Sequence, residues 1–165
     1  MKNRNNRRFV VGVMGGGDVS GDISQLAYEL GCSIAGNGWI LLNGGRDSGV
    51  MRASAEGAKS KGGMTVGILP GHSGNEANPF IDIAIVTGMG AARNVINVLS
   101  SDVVIALPGE AGTLSEIALA LKHGRSVILL KNPVRELIEQ ACLGGAIYSC
   151  ETVIECIDFI KKFTD

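Results

Sequence analysis

The residues of this chain best suited to chemistry lie in Pro108-Gly109-Glu110-Ala111-Gly112-Thr113, with Glu116 three positions further on and Arg93 upstream. This stretch joins an apolar run at 103–107 to an amphipathic segment at 114–123. A glycine turn that opens a helix presents backbone N–H groups without partners at the positive end of the macrodipole, the chemistry of a phosphate site. Arg93 lies early in a helical pattern, where a cation opposes the dipole. It makes sense there either facing an anion or solvated at the surface. Glu116 stands at capping-box spacing from Thr113, so a structural cap competes with a chemical role.

These residues need a scaffold, and the hydrophobic pattern supplies one. Short apolar runs at 9–14, 39–42, 65–69, 81–86, 103–107 and 127–130 read as buried strands, with a seventh possible at 146–148. Between them, 23–36, 50–61, 92–99, 114–123 and 134–142 carry spacings near three and four, and 152–163 closes the chain as another helix. Strict strand–helix alternation implies parallel strands with crossovers on both faces. The expected fold is α/β, a single Rossmann-like doubly wound parallel sheet of about six or seven strands. Residues 1–8, with Lys2, Arg4, Arg7 and Arg8, read as a flexible basic tail, and 9–165 as one domain.

In such sheets ligands bind beyond the carboxyl ends of the strands, near the point where strand order reverses. The glycines collect there: Gly15, Gly16 and Gly17 after the first strand, Gly44 and Gly45 after the second, Gly71 after the third, Gly88 and Gly90 after the fourth, Gly109 and Gly112 after the fifth. Turn-making alone would scatter them over both ends of the strands, so the bias marks a binding rim. No G-x-x-x-x-G-K-[ST] sequence is present. Ser20 stands where a dinucleotide fingerprint wants its third glycine, and Asn43 ends the second strand without an acidic ribose ligand, which disfavours ordinary NAD binding. Asp18 and Asp47 read as turn or helix-start residues and His72 as a loop residue. Trp39 and Met51 read as core.

Composition narrows the function classes. A formal charge of -1, with 45% hydrophobic and 19% charged residues, lacks the basic excess of a nucleic-acid surface. No apolar run approaches the roughly 18 residues of a membrane span, and a cytoplasmic protein is expected. Cys32, Cys142, Cys150 and Cys156 form no C-x-x-C pair, and only His72 and His123 could join them, so neither a metal site nor disulfides are expected.

Three segments carry a family resemblance: Gly44-Gly45-Arg46-Asp47-Ser48-Gly49-Val50-Met51, Met89-Gly90-Ala91-Ala92-Arg93-Asn94, and Pro108 through Glu116. Together they resemble the LOG-like Rossmann superfamily, once labelled lysine decarboxylases, and within it the molybdenum-cofactor carrier proteins. The resemblance runs over about residues 9–160. It implies a phosphate-binding rim made of Gly15, Gly16, Gly17, Gly44, Gly45, Ser48, Gly49, Met89, Gly90, Arg93, Pro108, Gly109, Glu110, Ala111, Gly112, Thr113 and Glu116. For the carrier branch it implies the molybdenum cofactor as cargo, a pterin with a terminal phosphate and a molybdenum-bearing dithiolene. For the enzymes of the superfamily it implies hydrolysis of the N-glycosidic bond of a nucleoside 5′-monophosphate, with Arg93 and Glu116 as catalytic residues; a non-catalytic nucleotide sensor is a third possibility. Two positions depart from the enzyme pattern: Glu110 replaces a glycine and Asn94 a lysine. A carboxylate about 6 Å from a phosphate costs roughly 0.7 to 3 kcal/mol across effective dielectrics of about 80 to 20, enough to offset the helix end. The expectation is therefore a cofactor carrier or storage protein. The resemblance also implies a homo-dimer or tetramer, with molybdoenzymes or cofactor-synthesis proteins as partners, and neither nucleic acid nor membrane.

Overall fold

A computed structural model describes residues 7–140 and 144–164. Seven strands, β1 (Val10–Met14), β2 (Ile40–Asn43), β3 (Thr65–Leu69), β4 (Ile83–Val86), β5 (Val103–Ala106), β6 (Ser126–Leu130) and β7 (Ile147–Cys150), form one sheet in the order β4-β3-β2-β1-β5-β6-β7. Every adjacent pair is parallel. The expected doubly wound sheet is present, and the seventh strand is real. Among the described residues five α-helices connect strands, α1 (Gly21–Gly36), α2 (Gly49–Ser60), α3 (Asn94–Leu99), α4 (Ala111–Lys122) and α5 (Arg135–Gln140), and α6 (Val153–Thr164) follows β7. The helix expected at 92–99 is split into a 3-10 turn over Gly90–Arg93 and the α-helix proper, because the turn opens at Gly90 with φ of 56°. Positions 141 and 142 of the helix expected at 134–142 lie outside the described residues, as do positions 1–6 of the basic tail.

Alternation along the central strands explains the two layers. Val11 and Val13 of β1 and Val103 and Ile105 of β5 point into one core with α1, α2 and α6, while Met14, Val104 and Ala106 point into the other with Ile117 and Leu121 of α4. Central strands covered on both faces must be apolar throughout, which is why they read as unbroken runs.

Two expectations need correction. The run at 81–86 reads as a buried strand, yet all four residues of β4 are exposed, including Ile83 and Ile85 at 46% and 43%. β4 is the sheet edge, and the α3 that follows it crosses back to pack on α4 rather than covering it. The cysteines are not all separate thiols either. Cys150 at the end of β7 and Cys156 in α6 are paired, with Cα atoms 6.1 Å apart, because the turn between these elements folds one onto the other. Both are buried, as small apolar residues would be. Among the described residues no helix is long and apolar enough to cross a membrane.

Candidate functional site

β1 and β5 are neighbours, but the chain leaves β1 toward β2 and leaves β5 toward β6, so strand order reverses between them. A crevice must open at their carboxyl ends. Its two walls are stitched together: the Gly16 amide donates to the Pro108 carbonyl at 3.0 Å, and the Val50 amide donates to the Gly16 carbonyl at 3.0 Å. Gly109 has to be glycine, since a Cβ there would stand 2.2 Å from Thr113 Oγ1 and 2.7 Å from the Gly16 nitrogen. Gly44 is under the same constraint from Arg93, whose Nη2 would lie 2.7 Å from an added Cβ.

At the base of the crevice Arg93 Nη1 donates to Asn94 Oδ1 at 2.7 Å and lies 3.5 Å from Glu116 Oε1. The same carboxylate oxygen accepts from Asn97 Nδ2 at 2.7 Å. Asn94 Nδ2 in turn donates to Ser115 Oγ at 2.8 Å, tying α3 to the first turns of α4. Arg93, Asn94, Asn97 and Glu116 are all buried. Burial pushes the Glu116 carboxyl above the usual carboxylate range, only partly countered by the Asn97 hydrogen bond and the Arg93 charge. Burial likewise lowers Arg93, with Glu116 opposing and the nearby Arg46 charge adding to the fall. Two buried polar atoms of this network, Arg93 Nε and Asn97 Oδ1, have no partner among the described residues. Orphaned groups of this kind are costly unless something else satisfies them.

The capping-box reading of Thr113 and Glu116 does not hold. α4 begins at Ala111 with Glu110 as its N-cap, and that cap makes no side-chain hydrogen bond. Thr113 and Glu116 are thus inside the helix, and Glu116 turns inward because α3 brings Asn97 and Arg93 against that face. Asn43 serves to fix the backbone around it. Its Nδ2 donates to the Met51 carbonyl and to Ser54 Oγ, while Oδ1 accepts the Gly45 amide. That explains an amide where a dinucleotide fold carries an acid. Asp102 accepts the Val10 amide at 2.8 Å and pairs with Arg7, which holds β1 beside β5.

The crevice is lined by Gly15, Gly16, Gly17, Gly44, Arg93, Glu110, Gly112, Thr113 and Glu116 of the expected set. The others stand behind or beside it. Pro108 and Gly109 form the inner wall against Gly16, and Ala111 opens α4. Ser48 is the N-cap of α2 and Gly49 its first residue, while Gly45 turns the loop with φ of 74°. Met89, 47% exposed, is the N-cap of the 3-10 turn and Gly90 its first residue, and neither is among the residues that line the crevice. Sequence reading missed Arg46 and Met51, both of which line the crevice, and Asn97 beneath it. The signal for Asn97 is its position four residues after Arg93, one helical turn along the same face. The loop 71–79 is held in place: Asn78 is buried, and its Nδ2 donates to the carbonyls of Gly45 and Arg46. Asp47 pairs with Arg52, away from the crevice lining. Among the described residues no three His, Cys, Asp or Glu side chains gather around a metal-sized position.

Backbone amides on one wall and an arginine at the floor suit this crevice to an anion, and known proteins share its fold over their whole length. The molybdenum cofactor binding protein of the phototrophic bacterium Rippkaea orientalis superposes with a TM-score of 0.92 at 45% identity, covering 98% of this chain and 100% of that one. The molybdenum cofactor carrier protein of Chlamydomonas reinhardtii gives a TM-score of 0.88 at 40% identity, with 94% and 98% covered. A cytokinin riboside 5′-monophosphate phosphoribohydrolase of Mycobacterium tuberculosis is 40% identical over 105 residues, 62% of this chain and 56% of the enzyme, so the match spans little more than half of it. The SLOG cluster4 family model matches residues 8–157. A chain with this crevice, these glycine turns and that match over nearly its whole length belongs to the SLOG cluster4 family.

Proposed function

We propose that the protein binds and protects the molybdenum cofactor as a carrier or store in the cytoplasm. The observation that carries this reading is the likeness to cofactor-binding structures over the whole chain, joined to a crevice whose wall is backbone and whose floor is an ion pair already committed to internal partners. Holding a phosphorylated pterin requires N–H donors, a counter-charge and exclusion of water. It requires no proton transfer from the protein. The residues fit the terminal phosphate: the first turn of α4 lines the crevice, and the unpartnered Arg93 Nε supplies a buried donor beneath it. The crevice encloses about 140 Å³. Pockets that hold a whole small-molecule ligand commonly measure about 300 Å³ or more. The crevice therefore takes the phosphate arm, and the pterin lies outside it.

Homo-oligomerisation belongs to the same proposal. β4 leaves Ile83, Ile85 and Val86 exposed on the sheet edge, with Met89 exposed beyond it, and a second copy packed there would shelter this apolar edge. Purified protein incubated with free cofactor should carry it through gel filtration and slow its oxidative decay. Loss of the cofactor on the column at the same rate as from buffer would end the proposal.

A second reading, nucleoside 5′-monophosphate phosphoribohydrolase, is favoured by one observation: Arg93 and Glu116 meet at the base of the crevice. A buried carboxylate beside a guanidinium could stabilise a sugar cation while the base departs. Release of free base from a panel of nucleoside 5′-monophosphates, abolished in Glu116→Ala, would establish it. Glu110→Gly separates the two readings, since restoring the enzyme-like turn should raise any hydrolysis, whereas in a pure carrier it only tightens phosphate binding.

A further inference from the structure

The charged side chains that line the crevice, among the described residues, are Arg46, Arg93, Glu110 and Glu116. Their ordinary charges cancel, so an anion entering the crevice leaves it with surplus negative charge. The two carboxylates differ in how they can respond. Glu110 is exposed and free to turn toward water. Glu116 is 6% exposed and fixed: Asn97 Nδ2 donates to its Oε1 at 2.7 Å, and Arg93 Nη1 lies 3.5 Å from the same atom. The charges that face it are therefore Arg93 from the turn before α3, Arg46 from the loop after β2 and Glu110 from the start of its own helix. β5 and β6, on which α4 packs, carry no charged residue, and β1 and α2 offer the crevice only Val13, Met14 and Met51.

The two oxygens of Glu116 are not equivalent. Oε1 is taken up by Asn97 and Arg93. Oε2 has no hydrogen-bond partner among the described residues and, unlike the orphaned Arg93 Nε and Asn97 Oδ1, is not sealed from solvent. Its residue lines the crevice, so the open oxygen faces the space an anion enters. As part of a carboxylate this oxygen repels an oxyanion; carrying a proton it becomes a donor to one. Burial already disfavours the charged form. From the cancelled charges, the fixed carboxylate and its open oxygen, we infer that the crevice takes up a proton together with its anion. The buffer supplies the proton, an O–H bond forms at Glu116 Oε2, no bond of the ligand breaks, and the new O–H donates to the bound oxyanion. This deepens the proposed function and rests on its reading of the crevice as a phosphate site. It makes Glu116 the group through which pH governs loading, with cargo held more tightly in acid and released as pH rises.

The test uses the full chain and sulfate, an oxyanion whose own charge stays constant from about pH 5 to 9, a range that brackets a raised carboxylate. Titration calorimetry in two buffers of different protonation heat should show sulfate affinity falling as pH rises, by up to about tenfold per pH unit, with a heat that differs between the buffers as proton uptake requires. Glu116→Gln places an amide N–H where the proton would sit and still accepts from Asn97, so its sulfate affinity should not vary with pH and its heat should not depend on the buffer. Glu110→Gln, whatever it does to affinity, should keep the wild-type slope. A flat wild-type profile, sulfate that binds at no pH, a slope that survives in Glu116→Gln or one that vanishes in Glu110→Gln would each overturn the inference. Circular dichroism checks that the variants fold, and the buffer dependence of the wild-type heat decides the matter even if they do not. Cofactor retention by wild type, measured in parallel, separates the two levels. Proton uptake with sulfate but no retained cofactor would keep the inference and sink the carrier reading. Cofactor retained by a protein whose sulfate binding takes up no proton would do the reverse.

Discussion

Asn97 Nδ2 and Arg93 Nη1 converge on one oxygen of Glu116, at 2.7 and 3.5 Å, although Glu116 belongs to α4 and the other two to α3 and the turn that leads into it. Both helices start at the crevice, so this contact sets its floor. Because burial raises the Glu116 carboxyl despite both partners, folding shifts this group toward its neutral form. Its contribution to stability is fully present below the ordinary carboxylate pKa and is lost as pH rises through the raised folded value. Glu116→Gln should therefore unfold at the same or a higher urea concentration at pH 7 and lose that decline. Glu116→Ala should cost on the order of 2 to 4 kcal/mol, since it orphans the Asn97 donor and the Arg93 charge. Equal destabilisation by both variants would contradict the assignment.

Asn97→Ala tests the same floor from the other side. Removing the hydrogen bond that lowers the carboxyl pushes it further up, so the stability lost with rising pH should grow and extend to higher pH. At pH 7 the variant should lose about 1 to 3 kcal/mol, the cost of an unsatisfied buried acceptor. Urea unfolding between about pH 4 and 9, a range that brackets a raised carboxylate, gives both numbers. A wild-type pH profile would show that Asn97 does not govern Glu116.

Gly109 and Gly112 predict opposite outcomes from the same substitution. Gly109→Ala forces a methyl into Thr113 and the Gly16 backbone and should cost about 1 to 3 kcal/mol. Gly112→Ala meets nothing within 4 Å and sits inside α4, where alanine is favoured, so stability should hold or rise by up to about 0.5 kcal/mol. Its methyl nonetheless stands on the crevice wall, and phosphate binding measured by calorimetry should weaken in both variants. Unimpaired binding in Gly112→Ala would remove this wall from the site.

Asp82 carries the opposite pH signature. Burial raises its carboxyl, but the Lys59 ammonium and the amide and hydroxyl of Thr65 outweigh that, leaving it below the ordinary value. Stability from this group is present above the unfolded pKa and is lost as pH falls through the folded one. The carboxylate is partly exposed, so solvent screening keeps the effect small: Asp82→Asn should cost about 0.5 to 1 kcal/mol at pH 7 and nothing in acid. A thermal melt series from about pH 3 to 7, spanning the carboxylate range, decides it.

Much of this protein was legible without coordinates. The strands at 65–69 and 103–107, the helix bias between runs and the glycines at strand ends follow from local physics: side-chain period, apolar burial and turn chemistry act over a few residues. That is why the doubly wound sheet, a glycine rim at the carboxyl ends of its strands and the α4 turn could be read from spacing, and why the motif from Pro108 to Glu116 carried the family resemblance, whereas the β1–β5 switch came from the strand order. Tertiary structure decided what local physics cannot reach. Whether Glu116 caps its own helix or turns inward depended on α3 arriving with Asn97. Whether 81–86 is buried depended on α3 leaving β4 bare, and whether Cys150 meets Cys156 on how α6 folds back over β7. That Arg46 lines the crevice depended on Asn43 and Asn78 holding the backbone of Gly45 and Arg46 there. Each of these outcomes rests on contacts between elements distant along the chain, whose closeness is set by the order of strands and not by any pattern within one segment.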